Sequence, residues 1–389
     1  MNLLDDTIAT LDRLIAYPTV SSDSNLAMIH DLATMLEGCG AKVDVFHDPT
    51  GAKANLFATL GPDRPGGLVL SGHTDVVPVT DQDWSSDPFQ MRDAGDLLFG
   101  RGTCDMKGFI AAAVTIAPHF ARLDLQRPIH FAFTYDEEVG CIGARALVPE
   151  LKARGIAPAM AVIGEPTEMR VIDGHKGCCE YTVRFDGLEG HGSNPDQGVN
   201  AVEYVARYAA RLLALREDLI ARTPADSRFE PPWTTLNVGR ISGGSAHNVI
   251  AGKAEIDWEM RPVQNSDVDF VKGVMADYVN DALLPAMQAV TSDARITTEI
   301  IGEVAGLIPT DANQTRDIVM ALTGANGSDL VPFGTEAGLF QEMGIDVIVC
   351  GPGSIEQAHK PDEFIARDQL QLCLGLFEAL GHQMTQRPD

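Results

Sequence analysis

The chain has 389 residues with 45% apolar and 22% charged side chains and a formal charge of -26, the composition of a globular protein of two or three domains. That charge makes nucleic acid or an anionic membrane a repulsive partner, and the longest apolar run, Phe109 to Ala117, is too short to span a bilayer. Seven cysteines with no Cys-x-x-Cys spacing suggest neither a disulfide framework nor a thiolate zinc site.

Met1 to Asp6 lacks the basic region that opens a signal peptide and reads as the start of an amphipathic helix, so a cytoplasmic protein is expected. Short apolar strands follow at Gly67 to Ser71, Ile129 to Thr134 and Met160 to Ile163, and each ends in turn residues. Helices are expected over Gly108 to Phe120, rich in small residues, and over Ile142 to Arg154. The pattern changes near Gly177. Tyr181, Val183 and Phe185 alternate with polar residues, the mark of a strand buried on one face. A helix capped by Asn200, strands at Trp233 to Ser242 and Ile256 to Met260, a helix from Asp267 and a strand at Arg295 to Ile301 complete a β-α-β-β-α-β order. Val347 to Cys350 and the helix from Arg367 resume the first pattern. The expected fold class is a layered α/β domain, residues 1–177 and 304–389, with a ferredoxin-like α+β domain inserted at 178–303.

Five separated segments carry metal-type side chains beside turns: His73 with Asp75, Asp105, Asp136-Glu137-Glu138, Glu165 and His359. Each alone has a bland reading: a turn acid, a helix cap, a solvated charge run or a loop histidine. Together, at the carboxyl ends of strands where open α/β sheets form their binding crevices, they come close to the donor set for two divalent cations sharing a carboxylate. Asp75, two residues after His73, is suited to take the second ring N–H of that histidine. On extended chain, Glu137 and Glu138 project to opposite sides, which allows one to bind metal and the other to act as general base.

At these residues the chain resembles the M20 family of dinuclear zinc amidohydrolases. The motifs occur in the family's order: Ser71-Gly72-His73-Thr74-Asp75, Gly100-Arg101-Gly102 through Asp105-Met106-Lys107-Gly108, Asp136-Glu137-Glu138, Gly164-Glu165-Pro166-Thr167, Gly190-His191-Gly192-Ser193 and the late His359. The resemblance implies that His73 and Glu165 hold one metal, Glu138 and His359 the other, and Asp105 both. It implies two divalent ions per subunit, Zn2+ or Co2+, with Glu137 as the base and a cis peptide at Asp105-Met106. In the inserted domain, it implies that His191 steadies the oxyanion of a partner subunit's site in a homodimer, and that Asn248 and Arg261 hold a substrate α-carboxylate.

Phe333-Gly334-Thr335-Glu336-Ala337-Gly338 and the segment Gly351 to Glu363 resemble the acetylornithine deacetylase branch rather than the succinyl-diaminopimelate desuccinylases. The implied reaction is hydrolysis of N2-acetyl-L-ornithine, a step of arginine biosynthesis. Glu336, by its acidic charge and its place in the first of these segments, is a candidate partner for the substrate's δ-ammonium. The alternatives are another deacylase or peptidase of the family, or a non-catalytic metal-binding protein on the same fold. Glu137 intact beside Glu138 counts against the last.

Overall fold

The structure is a computed structural model that describes residues 2–387. Its contacts divide the chain into one unit of residues 1–174, 309–331 and 335–389, and a second of residues 175–308 and 332–334. The insertion thus begins and ends a few residues outside 178–303. The amide of His175 donates to the carbonyl of Leu307 at 3.0 Å, which pairs the outgoing and returning chains at that boundary.

The first unit is built on an eight-stranded mixed sheet in the order Lys42–His47, Ala54–Leu60, Ile129–Thr134, Leu68–His73, Met160–Pro166, Asp346–Gly351, Ile172–His175, Asp329–Val331. Its centre is parallel: Leu68–His73 runs alongside both Ile129–Thr134 and Met160–Pro166, which in turn pairs with Asp346–Gly351. These four strands are buried almost throughout, as expected of runs covered by helices on both faces. The strands Lys42–His47 and Ala54–Leu60 add antiparallel to one side and were not evident from the sequence. Lys42–His47 lies at the edge and is only half-buried, and the period-two signal there is weak.

Helix Gly108–Phe120 is apolar all round and runs through the core with Phe109, Ile110, Ile116 and Phe120 sealed from solvent. Phe109 lies flat against the strand that ends in Glu165. A Cβ on Gly164 would stand 2.0 Å from its ring, so only glycine permits this approach. Phe377 of helix Arg367–Gln383 meets Phe109 edge-on, with ring centroids 5.1 Å apart.

The second unit holds a four-stranded antiparallel sheet ordered Thr235–Gly243, Lys253–Arg261, Cys178–Asp186, Arg295–Val304. Helices Ala201–Ala221 and Asn265–Tyr278 connect its strands, giving the ferredoxin-like plan that the alternating residues implied. Tyr181, Val183, Phe185, Ile256, Trp258 and Met260 supply the core face, packed on Val205, Leu212, Leu215 and Leu219. Among the described residues no helix is long and apolar enough to cross a membrane.

Substituting Gly164→Ala forces the new methyl against Phe109. The expected cost is about 1–3 kcal/mol of stability for an overpacked core, read from the shift of a urea unfolding midpoint at constant m-value.

Candidate metal centre

His73 ends its strand in register with Thr134, so the adjacent parallel strands deliver His73 and the Tyr135–Glu138 segment to the same rim of the sheet. Glu165 comes from the next strand on the other side of Leu68–His73. Asp105 lies in the irregular turn Thr103–Lys107 ahead of helix Gly108–Phe120, and its peptide bond to Met106 is cis. His359 comes from the loop after Asp346–Gly351, with φ +62°.

The Asp105 carboxylate stands between two imidazoles. Its Oδ1 is 3.1 Å from Nε2 of His73, and its Oδ2 is 3.3 Å from Nε2 of His359. Nε2 of His73 is also 3.8 Å from Oε1 of Glu165, and Nε2 of His359 is 3.0 Å from Oε2 of Glu138. Ligand atoms of His73, Asp105 and Glu138 converge within 4.8 Å of one another, as do those of His73, Glu137 and Glu165. The arrangement is two imidazole–carboxylate pairs about one carboxylate.

Electrostatics make this cluster costly without cations. Burial, reinforced by repulsion from Glu138, Asp75 and Asp105, pushes the Glu137 carboxyl up to about 8, and burial likewise raises Glu165 and Glu138. Asp105 goes the other way: its burial is outweighed by hydrogen bonds from His359 and His73, which hold it below the usual carboxylate range. Hydrogen bonds to Asp105 and Glu138 lift His359 to about 10. Oε1 of Glu165 is buried with no hydrogen-bond partner among the described residues. An orphaned carboxylate oxygen among nitrogen and oxygen donors, in a pocket crowded with negative charge, fits divalent metal binding.

Asp75 acts differently from the sequence expectation. Nδ1 of His73 lies 2.9 Å from the carbonyl oxygen of Asp75 but 3.6 Å from its carboxylate. The carboxylate instead accepts the hydroxyl of Ser21 at 2.7 Å and the amides of Glu137 at 3.0 Å and Glu138 at 3.3 Å. Asp75 therefore fixes the backbone that carries both glutamates. Nor is that backbone extended: Asp136 has φ +53°, and the amides of Gly140 and Cys141 turn back to the carbonyl of Glu137. A tight turn, not strand alternation, separates the two carboxylates. Lys53 pairs with Asp136 at 2.6 Å and braces this turn.

Glu336 also departs from expectation. It is 1% exposed, and its oxygens accept the hydroxyls of Ser71 at 2.5 Å and Thr134 at 2.8 Å. With both oxygens engaged and the side chain sealed in, it does not present itself to a substrate ammonium; it ties together the strands that carry His73 and the two glutamates.

Glu363, unassigned by sequence reasoning, organises the Asp105 turn. Its carboxylate accepts the amides of Gly102 at 3.0 Å, Cys104 at 3.0 Å and Asp105 at 3.2 Å, and pairs with the Arg101 guanidinium at 2.7 Å. Arg101 and Glu363 are both fully buried. The signal available in sequence was only that Glu363 follows His359 closely in a proline-containing loop.

In the second unit, His191 and Asn248 share one exposed lobe. His191 pairs with Val249 in a two-stranded ribbon, and the amide of Gly192 donates to the carbonyl of Asn248 at 2.8 Å. Arg261 is separate from them: it closes the strand Lys253–Arg261, where its guanidinium forks onto Glu259 at 2.7 and 3.0 Å.

A sequence profile described as Peptidase family M20/M25/M40 matches residues 69–383, which span every residue of this centre. The chain belongs to that family. Acetylornithine deacetylase of Photorhabdus laumondii is 36% identical over 376 residues, 94% of each chain, and that of Salmonella typhimurium is 36% identical over 372 residues, again 94% of each. Among solved structures, an M20 family metallo-carboxypeptidase from Sulfolobus solfataricus aligns with a TM-score of 0.75 at 16% identity, covering 98% of this chain and 99% of that one. Human carnosine dipeptidase 1 aligns at 0.66 and 19% identity, covering 98% and 97%.

Replacing Glu363→Ala leaves the Arg101 charge buried and unpaired. A loss of about 3–5 kcal/mol in unfolding free energy is expected from denaturant titration, together with weaker metal retention on gel filtration.

Proposed function

We propose that this M20 family member hydrolyses the amide bond of N2-acetyl-L-ornithine to acetate and L-ornithine. The observation that carries the reading is the Asp105 carboxylate set between His73 and His359 with Glu137 beside them, in a chain 36% identical over 94% of its length to an acetylornithine deacetylase. The reaction belongs to arginine biosynthesis in the cytoplasm.

His73 and Glu165 would hold one divalent ion, Glu138 and His359 the other, with Asp105 common to both. Imidazole and carboxylate donors suit Zn2+, with Co2+ an effective replacement. When bound, such a pair activates water as a nucleophile near neutral pH and polarises the amide carbonyl.

Glu137 is the general base. It takes a proton from the attacking water and returns it to the departing amine. Asp75 holds the Glu137 amide and so sets where that base points. From the second unit, His191 is assigned to the oxyanion of a partner subunit's site, and Asn248 and Arg261 to the substrate α-carboxylate, for which Arg261 must exchange Glu259 for the substrate. Exposed Ile241, Ile300 and Ile301 on the two outer strands of its sheet are consistent with pairing of two copies there.

Glu137→Gln keeps the size of the side chain and removes the base. Turnover should fall by at least ~10²-fold while metal content by elemental analysis stays at the wild-type level; loss of metal with turnover preserved would mean that the two glutamates have exchanged roles.

Substrate class is tested with acetylornithine, acetylated neutral amino acids, succinyl-diaminopimelate and dipeptides, each assayed with Zn2+ and Co2+. The expected order puts acetylornithine first in kcat/KM by ~10-fold or more. A dipeptide or the succinylated substrate in that place would transfer the chain to another branch of the family.

A further inference from the structure

Away from the catalytic rim, helices Gly108–Phe120 and Arg367–Gln383 pack closely at their C-terminal ends. Gly381 approaches Phe120 so nearly that an added Cβ would stand 2.7 Å from its ring. That contact sets the neighbouring residues His119 and His382 against each other, ring centroids 6.1 Å apart and planes at 80°. Glu378 precedes His382 by one helical turn and therefore lies on the same helix face. Ligand atoms of His119, Glu378 and His382 all lie within 4.8 Å of one another.

A second observation points to a missing partner. Nε2 of His119 is buried and has no hydrogen-bond partner among the described residues. A buried ring nitrogen left unsatisfied is unfavourable and needs an explanation. The two other donors belong to exposed side chains. They are free to change rotamer, which matters because zinc ligands at about 2.0–2.1 Å from the ion stand roughly 3.3 Å from one another.

We infer that His119, Glu378 and His382 form a further divalent-cation site, independent of the catalytic centre, with the imidazole and carboxylate chemistry that selects Zn2+, Co2+ or Ni2+ over Mg2+ and Ca2+. Two imidazoles distinguish it from an acidic surface patch, since hard cations favour all-oxygen surroundings. Three protein donors leave a coordination position for water. The ion ties the last helix of the first unit to the helix that begins three residues after Asp105. The site is therefore a clamp on the core element nearest the catalytic turn, with no contact to the reacting groups.

The test counts metal. Full-length protein is stripped with a chelator, reloaded with excess Zn2+, desalted and analysed by elemental mass spectrometry, for wild type, His382→Ala and Glu378→Gln. Both substitutions are at exposed positions, and the second preserves side-chain size, so folding is retained in at least one. Wild type should carry one equivalent more than either variant. A Co2+ titration should show an additional binding step, with a rise in melting temperature, that the variants lack. Because the readout is a difference between proteins sharing the same catalytic residues, it is independent of which substrate the enzyme takes. Equal metal counts together with identical Co2+ titrations in all three proteins would overturn the site.

Discussion

Everything at the catalytic rim depends on how one carboxylate, Asp105, is held in place. It is approached by an imidazole on each oxygen, and an acid in that position is useful only if the turn that carries it cannot drift. The turn has little regular hydrogen bonding of its own. Glu363 supplies what is missing by accepting the amides of Gly102, Cys104 and Asp105, and Glu363 is in turn paired in the interior with Arg101. On the other side of the turn Lys107, also buried, donates to the carbonyls of Leu14 and Tyr17 at the end of the first helix. A buried ion pair on one side and a buried lysine bonded to backbone carbonyls on the other therefore flank Asp105. Groups that cost free energy to bury are tolerated here because they fix one conformation of an irregular loop.

The same logic repeats at the paired glutamates. Asp75 accepts the amides of both, Asp136 below them is braced by Lys53, and Glu336 ties Ser71 to Thr134 just upstream. Asp75 and Glu336 are engaged by backbone and hydroxyl donors and Asp136 by the Lys53 ammonium, which leaves Asp105, Glu137, Glu138 and Glu165 as the acids that face one another. The centre is thus a set of mutually repelling carboxylates surrounded by a set that is fully hydrogen-bonded. Divalent cations would relieve the repulsion of the inner set, whose geometry the outer set holds.

Much of this was legible in the sequence for a simple physical reason. Fully apolar runs such as Ile129–Thr134 can only be strands of a covered sheet, and polar residues placed directly after them must emerge at its rim. That is why His73, Glu165 and the Tyr135–Glu138 segment could be assigned to one edge. What stayed hidden were partners distant in the chain. Glu363 meets amides some 260 positions earlier, and nothing local in Pro361-Asp362-Glu363 shows which of its two acids turns inward. Glu336 was misplaced for the converse reason: an acid in a glycine-flanked segment reads as solvent-facing, yet hydroxyls from two neighbouring strands make its burial affordable. The turn at Asp136 was missed because Asp-Glu-Glu after a strand carries no glycine to advertise a left-handed residue.

Helix Gly108–Phe120 connects these local devices to the rest of the first unit. It starts at the Asp105 turn, presents Phe109 to the strand bearing Glu165, and ends at Phe120, roughly 18 Å further on by the rise of its 12 residue steps, with His119 beside His382. Its sides are apolar almost everywhere, so close packing sets most of its position, helped by the Thr115 hydroxyl, which donates to that of Thr10 at 3.0 Å. At one end the Arg101–Glu363 pair and Lys107 supply directed bonds; at the other, the Gly381–Phe120 contact supplies shape complementarity and the His119, Glu378 and His382 donors supply a place for an ion. The bonds at the first of these ends hold Asp105 where it meets His73 and His359 at once.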